Sequence, residues 1–423
     1  MRFIFICLIA LAGCTSCSNQ TVDKQDDQEF LSGRTHGILG DSAMVVCAHP
    51  EAAKVGADIL KKGGNAIDAA ISVQFALAVV YPNAGNIGGG GFMVIRMQTG
   101  EINALDFREK APEHASRNMF LDPKTKEVDR EKIESSHLAS GVPGSVDGMW
   151  MAHQKYGSMP WKELIAPAIA LAENGFAITE MQANDLNIIQ SDLKKLNAGK
   201  NYFIKDAEWK TGDTLIQEDL ANTLMAIAEN GRDGFYAGVV ADKIIAEMQL
   251  NDGMISGDDL KNYHAVWRTP IKGNYKNYEI ISMPPPSSGG VALIQLLNMV
   301  ENYPIDIWGF QSLNTMHIMV EAEKRVYADR ATWLGDPDFV KIPVDELISK
   351  KYAEERMLNV DTIIITPSIE IKGGNIPGYE SEETTHFSIA DKYGNAVAVT
   401  TTLNDSYGSK ITVAGCGFIL NNE

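Results

Sequence analysis

A threonine that becomes the first residue of a chain carries nucleophile and base together, since its freed α-amine can take the proton from its own hydroxyl. Thr384 stands where such chemistry needs it. The stretch before it, residues 363–379, passes from apolar to polar and turn-rich (Pro367, Gly373-Gly374, Pro377-Gly378) without helical periodicity, and reads as an exposed linker. Residues 386–390 then alternate, 391–395 supply turn chemistry, and 396–403 answer as a second strand, so Thr384 leads a β-hairpin. Alternation puts Thr400 and Thr402 on one face of that second strand. Taken alone, Thr384-Thr385-His386 also fits an ordinary β-branched strand start beside a solvated histidine.

The elements that must hold this hairpin come earlier. A strand from Val45 leads to a helix over 51–62, closed by Gly63-Gly64, and then to a helix over 66–80 that is nearly all apolar. At fifteen residues the second helix is too short to span a membrane, so it is expected to be buried. The glycine run Gly85 to Gly91 leads into a strand at 92–97, with another beginning at Ala104. A phosphate loop would need a following helix N-terminus and a Lys-Ser/Thr pair, so the run predicts close backbone packing and no cofactor. Gly141 to Ser145 caps a helix running to Tyr156, and Pro160 opens the next. Further helices are expected at 218–230, 239–250, 290–300 and 313–333, with a strand at 278–283 ending in Pro284 to Gly290 and no internal repeat.

The chain of 423 residues can bury one large core or two packed halves, and its net charge of −18 argues against nucleic acid, whose phosphates demand a basic face. Arg2, the apolar run from Phe3 and Leu11-Ala12-Gly13-Cys14 read as an export signal that resembles the bacterial lipobox. That implies a signal peptide at 1–13, lipidation of Cys14, a polar tether over 14–34, and a periplasmic or surface lipoprotein touching the membrane through its anchor only. A redox or metal pair at Cys14 and Cys17 is the competing reading. Cys47 and Cys416 sit in apolar, strand-like contexts and are expected as core thiols outside any disulfide framework. The eight histidines show no metal-ligand spacing.

Several ordered motifs carry a resemblance that spans residue 35 onward. They are Gly63 to Ala70, Gly88 to Met93, Asp106-Phe107-Arg108-Glu109-Lys110-Ala111-Pro112, Gly141-Val142-Pro143-Gly144, Asp233 to Gly238 and Pro284 to Gly290. Glu321 to Arg330, Leu334 to Phe339, Thr384-Thr385-His386-Phe387-Ser388 and Gly394 to Ala398 complete the set. With them the chain resembles the γ-glutamyltranspeptidase (glutathione hydrolase) family. The resemblance implies an α+β, four-layer αββα sandwich of the N-terminal nucleophile hydrolases, cut by its own Thr384 between Glu383 and Thr384. A large subunit (35–383) and a small one (from 384) would form a heterodimer. Freed Thr384 would take a γ-glutamyl group from an amide and pass it to water or to an amino acid or peptide amine, with no cofactor.

In the same resemblance Thr402 bonds the nucleophile, Arg108 grips the substrate α-carboxylate, and Asn404 and Glu423 hold its α-amine. Without the family, Arg108 fits an ion pair with Glu109 or Asp106, Asn404 a turn, and Glu423 a solvated carboxylate. His386 is expected to be structural and to point away from the site. The family's small subunit continues past Glu423, through a further amine-binding Asp, a serine pair and the glycine pair of the oxyanion hole. The C-terminal part of the sandwich is therefore expected to be missing, residues 417–420 read as a strand in progress, and these 423 residues alone are expected to be inactive. Acylases and γ-polyglutamate depolymerases of the same fold, or a lipid-anchored solute-binding protein, are the alternatives.

Overall fold

The computed structural model describes residues 39–372 and 384–423, and residues 42–423 form one compact unit. The expected signal peptide, Cys14, the tether, Glu383 and the linker residues from 373 lie outside the described residues.

Helix α1 (Pro50–Lys61) starts at His49, whose ring accepts the Glu51 amide, with Pro50 in the first turn where no N–H is required. Helix α2 (Ala66–Val80) starts at a capping box. Asn65 Oδ1 accepts the amides of Ile67 and Asp68, and Asp68 Oδ2 accepts the Asn65 amide, each at 2.9 Å. All fifteen residues of α2 are buried, as its composition predicts. Its two polar interior residues are anchored by donation: Ser72 donates to Leu164 O at 2.7 Å, and Gln74 Nε2 donates to Asn86 O at 2.9 Å and Thr401 Oγ1 at 3.1 Å, while Gln74 Oε1 has no hydrogen-bond partner among the described residues.

This helix packs under an antiparallel sheet of six strands: β1 (Met44–Val46), β2 (Gly90–Arg96), β3 (Ile102–Asp106) and, past a small ribbon of β4 (Phe176–Ala177) with β5 (Thr214–Leu215), β6 (Val266–Arg268). A second ribbon, β7 (Ile271–Tyr275) with β8 (Tyr278–Ser282), precedes the expected hairpin, which forms as β9 (Thr384–Ala390) and β10 (Ala396–Thr402). The sheet order is β1-β9-β10-β2-β3-β6, so the hairpin lies inside the sheet, between β1 and β2. Thr384 pairs with Thr402, and Thr402 in turn with Gly90.

Helices α3 (Ser145–Tyr156), α4 (Trp161–Asn174) and α5 (Glu218–Asn230) complete the core on the α2 side. On the other side the β7–β8 ribbon is backed by α6 (Gly289–Val300), α7 (Leu313–Trp333) and α8 (Lys350–Met357). The layers therefore run helix, sheet, strand ribbon, helix, which is the αββα order, with two strands in the second β-layer among the described residues.

The last segment differs from expectation. Residues 417–420 are not a strand: positive φ at Gly415 and Gly417 turns the chain back, Val413 N donates to Phe418 O, and Thr412 and Ile419 make only an isolated bridge. Phe418, Ile419, Leu420, Asn421 and Asn422 are all buried in this loop. Cys416 is a buried free thiol in that turn rather than in a strand, and Cys47 is a free, half-buried one after β1. Residues 363–365 and Ile369 are exposed, as the linker reading requires for the part described.

Candidate active site

Strand β10 is amphipathic by alternation: Val397, Val399 and Thr401 are buried toward the helices, while Ala398, Thr400 and Thr402 line a cavity of about 680 Å³ on the opposite face. The far wall comes from Ile281 to Met283 and from Pro286 to Gly290 at the start of α6, with Arg330 and Leu334 beside them. Arg108, Asn404 and Glu423 line the same cavity, so the structure brings these together with Thr402. The Thr384 backbone lies opposite Thr402 in the ladder.

His386 overturns one expectation. Two residues beyond Thr384, it has the same strand parity, and it lines the cavity. The residue that turns away is Thr385, which is buried on the core face. His386 Nδ1 lies 2.8 Å from Thr400 Oγ1 and Nε2 lies 3.1 Å from Ser388 Oγ. Desolvation lowers its pKa, which favours the neutral ring.

Arg108 follows β3. Its amide donates to Asp106 Oδ1 at 3.1 Å, and its carbonyl accepts the Tyr263 hydroxyl at 2.8 Å, which fixes the direction of the turn. The guanidinium pairs with the Glu423 carboxylate, not with Asp106 or Glu109. Asp106 is taken by Arg268 at 2.8 Å, and Arg268 also forks onto Asp338 at 2.9 and 3.0 Å. Asn404 adopts φ +78 just past β10, a conformation asparagine tolerates. Its amide donates to Thr402 Oγ1 at 2.9 Å, and its Nδ2 donates to Asn422 O at 3.0 Å.

Two asparagines hold this arrangement together, and sequence reasoning gave neither a role. Asn86, buried inside the glycine run, donates from Nδ2 to Thr402 O, Thr401 Oγ1 and Ala84 O, and accepts at Oδ1 from Gly89 N and Ser145 Oγ. Asn421 accepts from the Gly141 and Glu423 amides and donates to the Gly88 and Gly141 carbonyls. The available signal was, for Asn86, an amide residue inside a glycine-rich run and, for Asn421, an amide residue directly after the apolar Phe418-Ile419-Leu420. The glycine run does serve close packing: a methyl on Gly88 would overlap Ile419 O, on Gly89 Thr402 O, and on Gly91 Thr400 O. Among the described residues no cluster of three His, Cys, Asp or Glu side chains is placed to hold a metal, and no helix is long and apolar enough to cross a membrane.

Comparison with known proteins agrees with this geometry. The γ-glutamyltranspeptidase family model matches residues 52–423. The glutathione hydrolase proenzyme of Escherichia coli K12 is 49% identical over 390 residues, covering 92% of this chain and 67% of that protein. The crystal structure of Helicobacter pylori γ-glutamyltranspeptidase superimposes with a TM-score of 0.76 at 46% identity, over 80% of this chain and 97% of that one. Cephalosporin acylase from Bacillus halodurans gives 0.80 at 27% identity, over 92% and 70%. Fold and site thus define an N-terminal nucleophile hydrolase. The chain belongs to the γ-glutamyltranspeptidase family.

Proposed function

We propose that this protein is a γ-glutamyltransferase and glutathione hydrolase that matures by cutting itself between Glu383 and Thr384. The observation that carries the reading is the cavity itself, where Arg108 and Glu423 form an ion pair beside Thr402 and Asn404, with the Thr384 backbone in register alongside. A cation and a carboxylate side by side complement the charged α-carboxylate and α-ammonium of a free amino-acid end. A γ-glutamyl donor has such an end, and its amide lies three carbons further along.

Thr384 Oγ attacks the γ-carbonyl carbon, and its proton passes through the freed α-amine to the leaving nitrogen as the C–N bond breaks. Water or an acceptor amine then attacks the ester, and Thr384 Oγ leaves with a proton. The Thr402 hydroxyl orients the nucleophile. The amino-acid end distinguishes this reading from the cephalosporin acylase relative, since an acyl group without an α-ammonium leaves Glu423 uncompensated once Arg108 is occupied.

Leu11-Ala12-Gly13-Cys14 supports export and lipid anchoring at Cys14, in the periplasm or at the cell surface, which labelling with an alkyne fatty acid in wild type and Cys14→Ser checks. The central test is a denaturing gel of the full-length gene product beside Thr384→Ala, with release of amine from a γ-glutamyl anilide. Two fragments and turnover are expected in the wild type only. A wild type that stays whole refutes the self-cleavage, and equal negligible turnover refutes the activity.

A further inference from the structure

Glu109 is nine-tenths buried and lines the substrate cavity, yet neither of its carboxyl oxygens makes a hydrogen bond among the described residues. Orphaned buried carboxyls are rare enough in native folds to need a reason. The nearest donors are the amides of Gly90 and of Glu109 itself, which face the carboxyl without completing hydrogen-bond geometry. The cation that acts on it, Arg108, is already paired with Glu423. An ionised Glu109 therefore lacks a counter-ion, and a neutral one has an O–H with nothing to receive it.

A ligand that brings an acceptor oxygen to Arg108 resolves both defects once the Glu109 carboxyl, closed off from solvent as it stands, turns toward the cavity it lines. We infer that Glu109 binds substrate as a neutral acid, donating its O–H to the α-carboxylate that Arg108 holds, so that donor binding draws a proton onto the enzyme. This rests on the reading of Arg108 given above. Burial pushes the Glu109 carboxyl up to about 7 against the pull of Arg108, and Asp106 pushes the same way as burial. The other groups around it are Tyr236 and Tyr263, whose hydroxyls burial raises well above their usual range, and Asp147 beyond them. Across the cavity stand His386 and Arg330, while Glu423 is engaged by Arg108. An incoming α-carboxylate adds negative charge beside Glu109 and favours its neutral form further.

The test is calorimetric titration of the processed full-length protein with L-glutamate at pH 7, in two buffers of different ionisation enthalpy. The wild type should take up about half a proton per glutamate, because a group titrating near 7 is half ionised there. Glu109→Gln, which keeps a donor but cannot titrate, should bind at pH 6 within about threefold of wild type and take up none. Glu109→Ala should bind about tenfold more weakly. Uptake that is absent in the wild type, or equal in the Gln variant, overturns the inference, as does loss of binding by Glu109→Gln at pH 6. No glutamate binding by the wild type removes the donor-site reading itself, and this inference with it.

Discussion

Replacing Glu109 by Gln should make the fold more stable at alkaline pH, by an amount the structure sets. The carboxyl is held near 7 in the folded chain against an ordinary value of 4.5, a difference of about 2.5 units. Between those values the folded state binds more protons than the unfolded state, so wild-type stability falls as pH rises through that window and levels off above it. The full penalty is about 3 kcal/mol at roughly 1.4 kcal/mol per unit. Glutamine never ionises and escapes it, although it leaves its own amide short of partners at every pH. That constant cost cancels when the two proteins are compared at two pH values. Urea unfolding followed by tryptophan fluorescence should give a stability gain for Glu109→Gln about 2.5 kcal/mol larger at pH 8 than at pH 5. A difference that does not change with pH would mean that Glu109 is hydrated or paired in solution, and the reasoning fails.

Arg108→Lys removes the planar fork while keeping the charge, and should raise KM for a γ-glutamyl donor about 10- to 100-fold with kcat changed less, as steady-state assays would show. Gly91→Ala drives a methyl into Thr400 O between paired strands and should cost several kcal/mol or abolish soluble expression. Gly63→Ala meets no atom within 4 Å and pays only for its φ of +99, about 1–2 kcal/mol by denaturant unfolding. Asn421→Ala strands the Gly141 and Glu423 amides and should destabilise the chain by about 2–4 kcal/mol, while weakening glutamate binding through the loosened Glu423.

Helix α2 was legible to the residue because an unbroken apolar run between Gly64-Asn65 and Tyr81 has one solution, a buried helix with a polar cap. The hairpin was legible for the same local reason, with Asp391 to Asn395 between two alternating runs. The place of that hairpin in the sheet was not, because β1 and β2 meet it from more than two hundred residues away and pairing leaves no local trace. Residues 417–420 misled because an apolar run reads alike in a strand and in a buried loop; the glycines on either side of Cys416 were the counter-signal. The ion pair with Asp106 or Glu109 that Arg108 offered without the family does not form, because Asp106 is used by Arg268 and Arg108 pairs with Glu423, far away in sequence. Of the site residues named from motif resemblance, Arg108, Thr402, Asn404 and Glu423 line one cavity. Asn86 and Asn421, which fix the backbone beneath it, lay outside reach because each ties its own loop to a segment distant in sequence, Asn86 to Thr402 O and Asn421 to Gly141 O.

Strands β9 and β10 are flanked by β1 on one side and β2 on the other, so the segment that begins at Thr384 is threaded into a sheet made mostly by what precedes it. If the backbone is opened anywhere between residues 373 and 383, the two pieces still share every one of those ladders. Separating them would strip hydrogen bonds from both sides of the hairpin and lay bare α2, so their parting is an unfolding event with an unfolding barrier. Dilution cannot drive it on ordinary time scales, and mixing the two pieces after separate synthesis would require them to fold around each other. The partnership is inherited from the single chain, and a cut works as a one-way door.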